Sequence, residues 1–308
     1  IESSFLITVV RHGLAMMIPF ILTGGIANAL LNLPVKAYQN VISDSFFAHF
    51  LNIMYTGTFG FFSFAMLIAL SSSYCMEKNM TVDKTVMYVI VAIGAFGTQL
   101  YNIGGGCNTD MLGVKGCFFA IVTALLSCIL LEKLQKVSLF DFREQTNGVE
   151  RITALAIDML IPAAIVIVIF AVVVQSLVTV FDVDSLYEIL SDAMCGFFDN
   201  VHNEFFKGLL YTLLLHIMWV FGLHGSMILE PVATTSFQIG VSGEIFSQSF
   251  FYSFVVMGGC GTTICVLIAV LFWVKNTRLR KISELSIFTV IFNICLLYTS
   301  PSPRDSTS

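Results

Sequence analysis

Long apolar stretches, interrupted by short polar ones, set the rhythm of this chain. Residues 13–33, 50–74, 85–103, 208–229 and 245–274 contain no Asp, Glu, Lys or Arg. Residues 112–131 carry only Lys115 and 152–181 only Asp158, and a further apolar stretch opens at 285–294. About 20 apolar residues cross a hydrocarbon core as a helix, and the full windows reach that length. None alternates with a period of two, which favours helices over a barrel. The pattern predicts an all-α polytopic membrane protein with seven to eight transmembrane helices.

Composition agrees. Hydrophobic residues make up 57% of the chain and charged residues 11%, against roughly 25% charged in a soluble domain. The net charge of −5 and the lack of a basic–aromatic surface give no reason to expect nucleic acid. The eight cysteines lie mostly in apolar segments without CxxC pairs, so they read as small buried thiols rather than a disulfide framework. No HExxH, GxSxG, P-loop or metal-ligand set occurs. Intramembrane hydrolysis and ATP-driven pumping therefore lack residues to carry them, and no metal or cofactor is expected. A transporter, channel or membrane enzyme remains.

Positive charge orients the helices. Lys133, Lys136, Arg143 and Arg151 assign the 132–151 connection to the cytoplasm. Counting back places Arg11, His12, Lys78 and Lys84 on the same side. The acidic 182–204 segment (Asp182, Asp184, Glu188, Asp192, Asp199, Glu204) falls outside. Beyond it the count fails, because Lys275, Arg278, Arg280 and Lys281 also call for the cytoplasm. Part of 182–250 must cross or re-enter irregularly. The best candidate is a re-entrant hairpin at 226–244, which holds Pro231, Gly240, Gly243, Glu230 and Glu244. Such segments are tolerated where protein or a watery cavity surrounds them. The organisation expected is a helical scaffold and dimerisation domain at 1–181 and an extracellular or interfacial connector at 182–204. A partial transport domain follows at 205–294. Glycines at 24, 25, 57, 60, 94 and 97 suit close helix packing in the first of these.

Candidate chemistry gathers late in the chain. Trp219 precedes His224-Gly225 by five residues, and Gly258-Gly259-Cys260-Gly261-Thr262-Thr263 lies within a later apolar run. On one helix Trp219 and His224 would sit about 140° apart, so they flank a site unless the helix breaks near Gly222. Indole offers an apolar face to a pyranose ring, and imidazole can donate to or accept from a hydroxyl. An interfacial anchor explains Trp219 as well, and a helix–helix hydrogen bond explains His224. Tight helix packing explains the glycines. His216 reads as structural. Glu230 and Glu244 are ionisable groups at membrane depth or in a loop facing water.

The order of these motifs resembles the sugar-permease IIC component of the bacterial phosphoenolpyruvate-dependent phosphotransferase system, of the lactose/cellobiose/chitobiose type. The residues that carry the resemblance are Gly13 to Gly25 with Pro19, Trp219-x4-His224-Gly225, Gly258 to Thr263, the basic Lys275 to Lys281, and Phe292-Asn293-Ile294. It implies a multi-pass protein of the bacterial cytoplasmic membrane, working as a homodimer with a cytoplasmic IIB phosphocarrier. Its substrate would be a β-linked disaccharide phosphorylated at the 6-hydroxyl by a phosphocysteine of that partner. Trp219 would stack on the sugar and His224 would hydrogen-bond it. Gly225, Gly258, Gly259, Gly261 and Thr263 would shape the site.

In the family Phe-Asn-Ile runs into Asn-Glu-Pro, whose glutamate faces the reacting hydroxyl; here Cys295 follows Ile294. Residues 295–308 resemble translated sequencing-adapter read-through, with a natural polar tail as the alternative. The chain opens on Ile rather than Met, and both ends are expected to be truncated. The 308-residue form is accordingly expected not to transport. A phosphorylation-independent sugar or ion facilitator is the competing functional reading.

Overall fold

The computed structural model describes residues 5–31, 36–42, 45–101, 106–137, 151–220, 225–237, 246–247, 250–256, 263–274 and isolated positions between 276 and 287. The fold is all-α. Among the described residues the only strand-like feature is an isolated bridge between Tyr101 and Cys107. The chain forms two compact units interleaved in sequence. Residues 1–14 and 61–193 make the first, and 15–60 and 194–308 the second.

The first unit contains most of helix α1 (Phe5–Met16), then α5 (Phe62–Glu77), α6 (Val82–Gly97), α7 (Cys117–Val137) and α8 (Arg151–Phe181). Helix α5 packs against α6 and α7, and α6 against α7 and α8. The buried residues of α5, from Phe62 to Cys75, cover about two thirds of its circumference, as expected of a helix packed on more than one neighbour. In contrast, α8 leaves Leu160, Val168, Val172 and Val180 exposed, the face a membrane helix turns to lipid. Apolar burial drives little association between helices in lipid, so close packing and internal hydrogen bonds matter more. Both occur here. A Cβ on Gly94 would lie 2.8 Å from Ile167 Cδ1. Ser73 Oγ donates to Val9 O at 2.8 Å, Gln99 Nε2 to Thr123 Oγ1 at 2.5 Å and Tyr88 Oη to Gln135 Oε1 at 3.0 Å.

Helix α8 continues through Pro162, at the loss of one backbone bond. It stops where Asp182 adopts a left-handed φ of 52° and Val183 N reaches back to Val178 O, a C-terminal cap of the Schellman kind. Helix α9 (Leu186–Asp199) follows at once. Ser185 and Glu188 cap its start: Glu188 N donates to Ser185 Oγ, and Glu188 Oε2 accepts at 3.0 Å from the N–H of Asp184, one residue before the cap. One acid of the acidic connector is therefore used to start a helix.

In the second unit, α2 (Ile18–Leu31) packs on α4 (Phe46–Phe59), with α3 (Lys36–Ile42) between them in sequence. A Cβ on Gly24 would fall 2.7 Å from the Phe59 ring and closer still to Thr58 Oγ1, so glycine sets this approach. Two of the glycines expected at helix contacts do not serve there: a Cβ on Gly57 or Gly97 would meet nothing within 4 Å. Both point away from neighbouring helices.

The uninterrupted apolar windows prove less continuous than their composition suggests. The 13–33 window contains the break between α1 and α2 at Met17, just before Pro19, which lacks the N–H to continue a helix across it. The 50–74 window is broken at Gly60 and Phe61. Among the described residues two helices are long and apolar enough to cross a membrane, Val114–Lys136 and Ile152–Phe181, or four if each broken pair counts as one span.

Candidate functional site

Helix α10 (Glu204–Val220) begins at Asn203, whose Oδ1 accepts from the backbone N–H groups of Phe205 and Phe206 at 3.0 and 3.3 Å. It carries Trp219 in its last turn; the Trp219 side chain lies outside the described structure. His216 Nδ1–H donates to Thr212 O at 2.7 Å, a bond within the helix that accounts for this residue as structural.

The chain resumes as α11 (Gly225–Ile228) and α12 (Glu230–Ser236). A Cβ on Gly225 would lie 2.6 Å from Leu215 O and 3.2 Å from Leu215 Cα. Ten residues of continuous helix would place these positions about 15 Å apart. The chain has therefore doubled back between them, and only glycine permits the approach. Positions 219 and 224 both lie in sequence between these two contacting residues. His224 itself lies outside the described residues.

Helices of four and seven residues are too short to span a bilayer, so 225–236 is an interrupted segment. Pro231 in the first turn of α12 suits a helix start. Thr235 Oγ1 donates to Pro231 O at 2.6 Å and meets Cys195 Sγ at 3.1 Å. Glu230 opens α12, half-buried, and its carbonyl accepts from Thr234 Oγ1 at 3.0 Å. Glu244 lies outside the described residues.

Behind this segment stands an aromatic core that the sequence reading missed. Tyr211, Phe237 and Phe251 form a triangle with ring centroids 4.7, 4.8 and 5.2 Å apart. All three are buried, together with Leu215, Leu229 and Val232. The cluster of Phe246, Phe250, Phe251 and Phe254 was the available signal, but its partners come from distant parts of the chain. Phe251–Val255 forms a single π-helical turn, with Val256 N bonded to Phe251 O at 2.9 Å. Such turns widen a helix locally and recur at functional sites. This one ends just before the glycine-rich segment; Gly258, Gly259 and Gly261 lie outside the described residues. Thr263 is the first residue of α13 (Thr263–Trp273), and its side chain is likewise not described.

Short helices, a close backbone approach and a widened turn suit recognition of a polar ligand by positioned groups. Among the described residues no cluster of His, Cys, Asp and Glu is arranged to hold a metal ion.

The sequence profile described as "Phosphotransferase system, EIIC" matches residues 11–298. The PTS system oligo-beta-mannoside-specific EIIC component of Bacillus subtilis (strain 168) is 25% identical, over 93% of this chain and 69% of that protein. The PTS system cellobiose-specific EIIC component of Geobacillus stearothermophilus is 22% identical, over 92% of this chain and 69% of that protein. Among solved structures, the chain is similar to the transporter ChbC, the IIC component from the N,N'-diacetylchitobiose-specific phosphotransferase system. The TM-score is 0.56 at 18% identity, covering 96% of this chain and 74% of that one. That likeness speaks for the fold.

Proposed function

We propose, from the premise that the chain belongs to the phosphotransferase system EIIC family of membrane sugar permeases, that it binds a β-linked disaccharide at the α10–α11 reversal. The observation that supports this reading is the seating of Gly225 on the Leu215 carbonyl, which folds the chain back across the sequence interval that holds positions 219 and 224. Trp219 stacks on a sugar ring and His224 hydrogen-bonds a hydroxyl. The 258–263 segment, following the π-helical turn, completes the wall with Gly258, Gly259, Gly261 and Thr263.

The bound sugar then presents its 6-hydroxyl to a phosphocysteine of a cytoplasmic IIB partner. The sulfur–phosphorus bond breaks as the oxygen–phosphorus bond forms; the thiolate stays on the partner's cysteine, and the hydroxyl proton passes to water. This chain supplies position rather than a phosphoryl carrier. Residues 1–181 serve as scaffold and homodimer contact and 205–294 as the transport region, with seven to eight crossings and a re-entrant hairpin at 226–244, in the bacterial cytoplasmic membrane. The names of the relatives, which include a cellobiose-specific and an oligo-beta-mannoside-specific component, support a β-linked sugar.

The chain has two tryptophans, at 219 and 273. In a Trp273→Phe background Trp219 is the sole indole reporter. Titrating the purified protein with cellobiose should shift its emission saturably, and His224→Asn should weaken binding roughly tenfold, the loss of one hydrogen bond. A folded protein whose Trp219 emission ignores β-linked disaccharides would refute the reading. Transport by the intact protein without any IIB partner would favour the facilitator instead.

A further inference from the structure

One end of the first unit carries a charge arrangement that sugar binding does not use. Glu132 on α7 accepts three donors: Tyr74 Oη at 2.5 Å, Lys136 Nζ at 2.7 Å and Lys78 Nζ at 3.2 Å. A single carboxylate thus holds two ammonium groups together, and among the described residues neither lysine has a second carboxylate partner. The carboxylate side chain is 17% exposed, while Lys78 and Lys136 are 36% and 71% exposed, so the ammonium groups face outward. Each ammonium carries three donors, and donors on both remain available to a second anion. Lys133 is exposed one turn before Lys136.

Apolar surface adjoins these cations. Lys78 Nζ lies 4.9 Å from the centre of the Phe5 ring, and Phe5 and its neighbour Leu6 are both exposed. Hence a two-cation site and an exposed apolar step meet at the boundary of a membrane protein, on the side that the positive-inside count assigns to the cytoplasm.

We propose that Lys78 and Lys136 form a binding site for the headgroup phosphate of an anionic glycerophospholipid, whose acyl chain lies over Phe5 and Leu6. Glu132 acts as the template that holds the two ammonium groups within reach of one phosphate. A soluble acidic protein would match the charge but leave the apolar step uncovered; a phospholipid matches both. Lysine binds phosphate as a point charge, and cations near a membrane surface attract anionic lipid by about a fivefold factor each.

The test is native mass spectrometry of the whole chain, released from nanodiscs containing equal phosphatidylglycerol and phosphatidylcholine. Wild type should retain phosphatidylglycerol preferentially, by on the order of tenfold. Lys136→Gln, an exposed and structurally mild change, should lose about fivefold of that preference, and Lys78→Gln with Lys136→Gln should abolish it. Glu132→Gln, which removes the charge that gathers the two ammonium groups, should lower the preference several-fold; an unchanged or raised preference in a variant with native circular dichroism overturns the template role. Equal retention of both lipids by wild type overturns the proposal, as does an unchanged preference in Lys136→Gln. Displacement of the lipid by millimolar inorganic phosphate would assign a free-anion site and overturn it too. None of these readouts depends on sugar.

Discussion

A single methyl group added at Gly225 should force α10 and α11 apart. The Cβ of Gly225→Ala would sit 2.6 Å from Leu215 O and 3.2 Å from Leu215 C and Cα. These are backbone atoms of a fully buried residue in the middle of a helix, so no side-chain rotation relieves the clash. Normal contact requires about 0.8 Å of separation. Overpacking of this kind costs about 1–3 kcal/mol. The same displacement would misplace the residues on either side of the reversal, and a further loss of about 1.4 kcal/mol would lower sugar affinity tenfold. Gly57→Ala and Gly97→Ala provide the comparison. Their Cβ atoms meet nothing, and both positions are close to or within helices where alanine is the better residue, so stability should hold or rise by up to about 1 kcal/mol. Thermal unfolding in detergent, together with cellobiose titration followed by Trp219 emission, measures both effects. If Gly225→Ala melts and binds like wild type, or if Gly57→Ala is equally damaging, the reversal is not packed as described.

Two further outcomes follow from buried contacts. Thr123→Val removes the acceptor of the 2.5 Å bond from Gln99 and should cost about 1–2 kcal/mol, since it strands a buried amide donor; adding Gln99→Leu should recover most of the loss, and a simple sum of two penalties in a thermal double-mutant cycle would contradict the pairing. Phe251→Ala opens a cavity between Tyr211 and Phe237 and should cost about 3–5 kcal/mol, read as a lower melting temperature; a loss under about 1 kcal/mol would mean the aromatic triangle does not hold the second unit together.

Helical character was legible because hydropathy without a two-residue alternation admits little else in a membrane. The interruption beside Pro231 was legible, and there α11 and α12 are only four and seven residues long. The breaks at Met17 and Gly60 were hidden. A hydropathy window responds to composition, and Met, Pro, Gly and Phe are all apolar enough to pass through it. Contacts between distant positions were also invisible. Tyr74 and Glu132 are 58 residues apart, and nothing local marks either as the other's partner. Gly57 and Gly24 look alike in sequence, yet only Gly24 faces a neighbouring helix, because helix phase depends on where each helix starts.

The interleaving of the two units bears on the order in which the protein is made. Residues 15–60 leave the ribosome early, but the unit to which they belong is completed only by 194–308. At about 5–20 residues per second, the intervening stretch delays completion by roughly ten to thirty seconds. During that interval α2 and α4 have chiefly each other to pack against, joined through Gly24 and the Phe59 ring. The contact between α2 and α4 can therefore form well before the rest of the unit that it belongs to has been made.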